Sequence, residues 1–372
     1  MNFKKNLLLL GFILSLFPGL SQINSTLVHD GVTRTFVYFT PSNWTAGQQV
    51  PLLILMHGLT QTGSGVMDIT QFNAIAEQDN FIVVYPDGLN FAWNANMNLT
   101  VSSADDIGFI ESLALHFQAN FGTNPLRQYL VGFSNGGFMS HKIACESSMC
   151  FAGIATVAGN MSDTTYANCS PQFTPSVLHI HGTADAVVPY NGGPGTGVSV
   201  DQVMNKWSEF LSCTSAPVTV AMPNTNLLDL SSPQKITYQN CVSPLELIKI
   251  DGGGHQWPGI QTLLGGAGTI NFDFYSPQVI WDFLKNKSCS TNELNQQKPF
   301  IPRIQNPVNG CLHLDAEGYQ SFRIHTLAGE RITEGLHTSV IDVSTLPEGM
   351  YLLTLNFPTF SSTVRFVKDG LN

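Results

Sequence analysis

The chain has 372 residues, enough for a main domain plus a smaller one, and 43% hydrophobic residues with 33 glycines supply a sizeable core. Only 11% of residues are charged, against about 25% in an average domain, so the surface leans on Ser, Thr, Asn and Gln, as in many exported proteins. The formal net charge of -10 offers no basic excess to neutralise phosphates, which argues against a nucleic-acid partner.

The N-terminus, MNFKKNLLLLGFILSLFPGLSQ, places Lys4 and Lys5 before an apolar core from Leu7 to Phe17. That core is shorter than the roughly 20 residues a bilayer span needs. Pro18 and Gly19 break it ahead of Ser21 and Gln22, so residues 1–22 read as a signal peptide, with an uncleaved anchor as the alternative. No other long apolar run follows, and stable membrane insertion is not expected. The expectation is a soluble exported protein.

From residue 23 to 288 short apolar runs alternate with helix-like segments. VPLLILMHG and FIVVYPDG are buried-strand runs that end in glycine-bearing loops, and SADDIGFIESLALHFQANF has helical spacing, with Ser102, Ser103, Asp105 or Asp106 available as its cap. QYLVGFS leads into the helix NGGFMSHKIACES; FAGIATVAG and SVLHIHG are strands; VDQVMNKWSEFLSC is an amphipathic helix; LELIKIDGGGH is a last strand entering a loop. Ser276-Pro277 is expected to open a final helix as N-cap and N1. Such alternation predicts an α/β fold, a mostly parallel sheet covered by helices on both faces.

Residues 289–302 are polar and proline-punctuated, as a linker is, and residues 303–372 alternate at strand period. The latter predict a small all-β sandwich. The seven cysteines of an exported chain (Cys145, Cys150, Cys169, Cys213, Cys241, Cys289 and Cys311) are expected to form disulfides with one thiol left over. Their spacing fits no zinc pattern, and neither metal nor organic cofactor is expected.

Ser134 lies in G-x-S-x-G, with Gly132 and Gly136 two residues on either side, between a buried strand and a helix. A serine nucleophile needs a tight strand-to-helix turn with small neighbours, a base, and donors for the oxyanion. In that architecture the acid and then the base follow the serine along the chain. Of ten histidines, those before Ser134 have the wrong order, His141 sits in the nucleophile's own helix, and His313, His325 and His337 lie in the β module. His179 and His181 alternate along one strand and read as structural, which leaves His255, in the glycine loop DGGGHQWPG, as the base. Asp185 follows a buried strand in HGTADAVVPY, where open α/β sheets place their sites, and is the favoured acid over Asp163, Asp201, Asp229 and Asp251. The Asn135 backbone N–H is one expected oxyanion donor; the other comes from the loop after PLLILMHG, at Leu59 or, as the near alternative, Thr60. His57 is expected to brace that loop, and Asp106 to cap a helix or bridge a cation. Trp93, Tyr190 and Trp257 are candidate cleft aromatics, with packing the equal alternative.

LLILMHGLTQTG, DDIGFI, VGFSNGGFMSHKIACE, HIHGTADAVVPYNGG and GGGHQWPG, in that order, resemble the secreted α/β-hydrolases known as poly(3-hydroxybutyrate) depolymerases and feruloyl or acetylxylan esterases. The resemblance implies the triad Ser134, Asp185 and His255 and a disulfide between Cys213 and Cys241. VIDVSTLPEGMYLLTL followed by STVRFVKDG resembles the C-terminal sorting domain of the type IX secretion system, although the module opens with QNPVNG rather than the more common Pro-Asn-Pro run. Together these imply an extracellular or cell-surface serine carboxylesterase whose partners are its ester substrate and the secretion machinery. Feruloyl or acetyl esters on plant polysaccharide are the expected substrates, with a polyester as the alternative. A serine peptidase or a catalytically dead surface-binding protein are more distant readings.

Overall fold

The computed structural model describes residues 22–97, 102–261, 267–290, 307–314, 319–356 and 361–369. The expected signal peptide, apart from Gln22, and most of the expected linker lie outside the described residues. Ten strands form one sheet: β1 (Ile23–His29), β2 (Val32–Phe39), β3 (Leu52–Met56), β4 (Ile82–Pro86), β5 (Gln128–Phe133), β6 (Gly153–Val157), β7 (Ser176–Gly182), β8 (Ser215–Ala221), β9 (Ser232–Gln239) and β10 (Leu245–Asp251). Their order is β1-β2-β4-β3-β5-β6-β7-β10-β9-β8. The six central strands, β4 to β10 in that order, pair in parallel, and β1–β2 and β9–β8 add antiparallel edges.

Strands buried on both faces read as continuous apolar runs, because helices cover each side of a parallel sheet. β3 shows how: Leu52, Ile54 and Met56 enter one core with α3 (Asp106–Phe121), α4 (Asn135–Glu146) and α6 (Val200–Phe210). Its alternate residues Leu53 and Leu55 enter a second core with α1 (Gly63–Thr70), α2 (Phe72–Asp79) and α7 (Ser276–Leu284). A short α5 (Asp163–Asn168) follows β6. The β8–β9 hairpin was not foreseen from sequence. All seven residues of β8 are exposed, so no apolar alternation marks it.

The helix ends follow local chemistry. Asp105 caps α3 by accepting from the Gly108 N–H, and Gly122 closes it in the left-handed conformation at φ 68°. Ser199 and Gln202 form a reciprocal capping box on α6. At α7 the expectation is corrected by one residue: Tyr275 is the N-cap, and the Ser276 hydroxyl donates instead to the Pro258 carbonyl at 2.7 Å.

The C-terminal part folds around its own apolar cluster, from Val308 to Phe366. Its strands are β11 (Cys311–His313), β12 (Ser321–Thr326), β13 (Arg331–Leu336), β14 (Val340–Asp342), β15 (Gly349–Asn356) and β16 (Ser361–Lys368). They form a β13-β12-β15-β16 antiparallel sheet and a β11-β14 pair, the two-sheet module the alternation predicts. Among the described residues no helix is long and apolar enough to cross a membrane.

Cys213 pairs with Cys241, Cys145 with Cys169, and Cys150 with Cys289, leaving Cys311 as a free, exposed thiol. Cys289 is the first residue of the expected linker. Instead it is anchored to the α/β part, where its N–H also donates to the Leu126 carbonyl at 2.9 Å. This bridge joins residues 139 positions apart and so restricts the unfolded chain over half the domain. Loss of a native disulfide typically costs about 2–5 kcal/mol. The Cys289→Ser protein is therefore expected to melt roughly 5–10 °C lower, while a melting temperature within a degree of the parent would show that the bridge does not tie down the last helix.

Candidate active site

Ser134 joins β5 to α4 with φ 51° and ψ -119°, a strained conformation for a residue with a side chain. The turn is possible because backbone meets backbone around it. A Cβ at Gly132 would lie 2.0 Å from the Gly136 carbonyl oxygen, and one at Gly136 would lie 2.2 Å from the Met56 carbonyl oxygen. Those two glycines are thus required by contact, and Ser134 is left at the C-terminal end of β5. Its neighbour β3 leads away in the opposite direction along the sheet order, so the serine sits at the switch point where open α/β sheets bind ligands.

Asp185 follows β7 and His255 follows β10, and the fold brings them together: Nδ1 of His255 lies 2.8 Å from Oδ2 of Asp185. The other carboxylate oxygen accepts from the backbone N–H groups of Val187 and Val188, both at 2.8 Å. A two-way backbone pairing with Ala267 fixes the histidine's own loop. His255 and Ser134 line a single cavity of about 350 Å³, with Leu59, Met97, Phe133, Val187 and Val188 among its walls.

The loop after β3 is braced from beneath. His57 is buried; its Nδ1–H donates to the Gly58 carbonyl at 2.7 Å and its Nε2 accepts from the Gly88 N–H at 2.9 Å. Burial lowers its pKa, which keeps the ring neutral for this pair of bonds. The Thr60 N–H donates to the Phe91 carbonyl at 2.9 Å, whereas among the described residues nothing accepts from the Leu59 N–H. The Asn135 side chain grips Trp93, accepting from its N–H at 2.7 Å and donating to its carbonyl at 3.2 Å. Asp106 pairs with Arg34 at 2.7 Å in a buried bridge and accepts from the Asn94 N–H, a structural role as expected.

Of the two readings open for the candidate aromatics, the contacts are those of packing. Trp93, Tyr190 and Trp257 are all buried and none lines the cavity. Trp93 lies under the loop, donating from Nε1 to the His57 carbonyl; the Tyr190 hydroxyl donates to Asp201; Trp257 stacks on Phe133. The cavity's apolar walls are instead Met97, Phe133, Val187 and Val188, which sequence reasoning did not single out. Loop residues carry no period, and only the neighbourhood of Ser134 and Asp185 could have suggested them.

A central parallel sheet with helices on both faces and a strained serine elbow at the switch point define an α/β-hydrolase. Residues 31–267 match the family described as "Putative esterase", and the chain belongs to it. Residues 306–369 match the secretion system C-terminal sorting domain, and the protein is exported. Feruloyl esterase B of Piromyces equi is 28% identical over 257 residues, covering 65% of this chain and 44% of that protein, so the chain spans less than half of that relative's length. Probable feruloyl esterase C of Aspergillus terreus is 24% identical over 259 residues, covering 67% of this chain and 83% of that one. The acetyl xylan esterase structure from Aspergillus awamori is 17% identical, with a TM-score of 0.48, covering 63% of this chain and 94% of that one.

Behind Asp185 lie three wholly buried histidines, 141, 179 and 181. Burial pushes His181 down from 6.5 to about 4 and His141 to about 3, and holds His179 well below 6.5. In the unfolded chain these rings protonate near pH 6.5, while the folded chain keeps them neutral. Between about pH 6.5 and 4 the unfolded state therefore binds more protons, and stability falls as pH falls. The melting temperature is expected to drop steadily across that window; a flat profile from pH 6.5 to 4 would contradict the burial of these neutral rings.

Proposed function

We propose that Ser134, His255 and Asp185 are the catalytic triad of a secreted esterase acting on feruloyl or acetyl esters of plant polysaccharide. The observation that carries the reading is the 2.8 Å bond between His255 Nδ1 and an Asp185 carboxylate that is itself held by two backbone N–H groups. That bond places the proton of neutral His255 on Nδ1 and leaves the Nε2 lone pair free to act as a base. Ser134 Oγ attacks the ester carbonyl as His255 takes its proton. The Leu59 and Asn135 backbone N–H groups stabilise the oxyanion; Thr60 does not, since its N–H is committed to Phe91. Asn135 also opens α4, whose N-terminal dipole favours the developing negative charge. His255 then protonates the leaving alcohol, and water, activated by the same ring, hydrolyses the acyl-enzyme.

For the substrate, the relatives' names point to feruloyl and acetylxylan esters, and the mainly apolar wall beside Ser134 suits an aromatic acyl group. For the layout, we propose a signal peptide over 1–22, a catalytic domain through Cys289, a short linker, and a sorting domain over 303–372 read by the type IX machinery. The test is a product screen of methyl ferulate, acetylated xylan and polyhydroxybutyrate under one condition, run with the parent and Ser134→Ala proteins. The parent is expected to release ferulate and acetate but no hydroxybutyrate, and Ser134→Ala to lose at least about 1,000-fold in kcat. Release of hydroxybutyrate as the main product would replace the substrate assignment, and an active Ser134→Ala protein would sink the triad.

A further inference from the structure

The buried histidines are joined into one hydrogen-bonded chain that ends at the Val188 carbonyl, in the turn that holds Asp185. The Trp207 indole N–H, which can only donate, meets His141 Nδ1 at 3.1 Å. Neutral His141 therefore carries its proton on Nε2, which faces the Thr156 hydroxyl at 3.4 Å. Thr156 Oγ1 lies 2.7 Å from His179 Nδ1, and His179 Nε2 lies 3.1 Å from His181 Nδ1. At the other end, His181 Nε2 lies 2.8 Å from the Val188 carbonyl oxygen, which can only accept. Working inward from Val188, His181 is protonated on Nε2 and accepts at Nδ1; His179 then donates from Nε2 and accepts at Nδ1 from the Thr156 hydroxyl. The Val188 end thus sets the direction, with the His179 and His181 N–H groups aimed toward the active site, and the Trp207 end is compatible with it, since the Thr156 hydroxyl can accept from His141 while donating to His179.

His181 Nε2 also lies 3.5 Å from Asp185 Oδ2, the oxygen that accepts from His255. At that distance the contact is a charge–dipole attraction rather than a hydrogen bond. Its carbonyl partner, Val188, belongs to the same turn whose N–H groups hold Oδ1. We propose that His181 is a positioning residue for Asp185: the Val188 carbonyl fixes its Nε2–H form, His179 and Thr156 behind it support that form, and that N–H holds both the acid's turn and the charge on Oδ2 facing His255. This rests on the triad reading above and adds to it what keeps the acid in place. The titratable groups around His181 are Asp185 and His255 in front, Tyr190 at its flank, His179 and His141 behind, and Lys249 on β10, which is paired to Asp251.

The test compares His181→Phe, which removes the donor, with His181→Gln, whose amide nitrogen can sit near the former Nε2. His181→Phe is expected to lower kcat on methyl ferulate about 10-fold or more with KM within about twofold. The acid limb of its kcat/KM profile should move to higher pH, because a carboxylate relieved of the His181 dipole stabilises the His255 imidazolium more strongly. His181→Gln should recover most of both, which mere packing would not require. Thr156→Val, remote from the acid, should shift the limb in the same direction by less, and Thr156→Ser should restore it. A folded His181→Phe protein with parental kcat and pH profile overturns the proposal, as does a His181→Gln protein no better than His181→Phe. Should the variants fail to fold, nitrogen-15 NMR of the parent decides: Nε2–H tautomers at His179 and His181 support the chain, and an Nδ1–H form at either overturns it. Ser134→Ala separates the levels. If it stays active, the triad reading fails and this inference with it; if it is dead while the His181 and Thr156 variants behave like the parent, only this inference fails.

Discussion

Backbone contact at the Ser134 turn is the constraint on which the rest of the site depends. β5 can hand over to α4 within one residue only if the Gly136 carbonyl passes where a side chain at 132 would stand, and if α4 begins against the carbonyl of Met56. That approach places the first N–H of α4 beside the loop after β3 and leaves the serine at the sheet's C-terminal edge. The strain in Ser134 is tolerated because β3, β5 and β6 are buried on both faces and cannot shift to relieve it.

Around that fixed point the partners are positioned with few charges. Asp185 lies in a turn whose own N–H groups satisfy one oxygen, and the second is left to face His255. The loop after β3 rests on His57, which rests on Gly88, and on Trp93, which Asn135 grips from α4. Neutral groups do this work in a dry interior, where an unpaired polar atom is costly and a fully paired network is rigid. The histidines behind Asp185 follow the same rule, since burial keeps them neutral and each N–H has an acceptor.

Much of this was legible in the sequence because it is local or ordered along the chain. The Ser134 elbow is a contiguous pentapeptide, the order serine, acid, base selects among histidines, and the Asp105 cap, one of four adjacent candidates, lies within three residues of the N–H it accepts from. What escaped depends on distant parts meeting. Cys150 finds Cys289 across 139 positions, which no spacing announces. Trp93, Tyr190 and Trp257 sit beside the right loops but face inward, and loop position alone does not reveal which way a ring turns. His179 and His181 were assigned correctly to one strand face as structural residues, yet their link to Asp185 appears only when the turn after β7 folds back so that Val188 meets His181.

The central claim is that Ser134 is a nucleophile activated by His255 and Asp185. Labelling by a fluorophosphonate probe, mapped by peptide mass spectrometry, tests it most directly, since the probe reacts only with an activated hydroxyl and needs no knowledge of the natural ester. A single modified peptide carrying the adduct on Ser134 is expected, with labelling slowed at least about 100-fold in the His255→Ala protein. An adduct on another serine, or labelling that survives Ser134→Ala, would contradict the account.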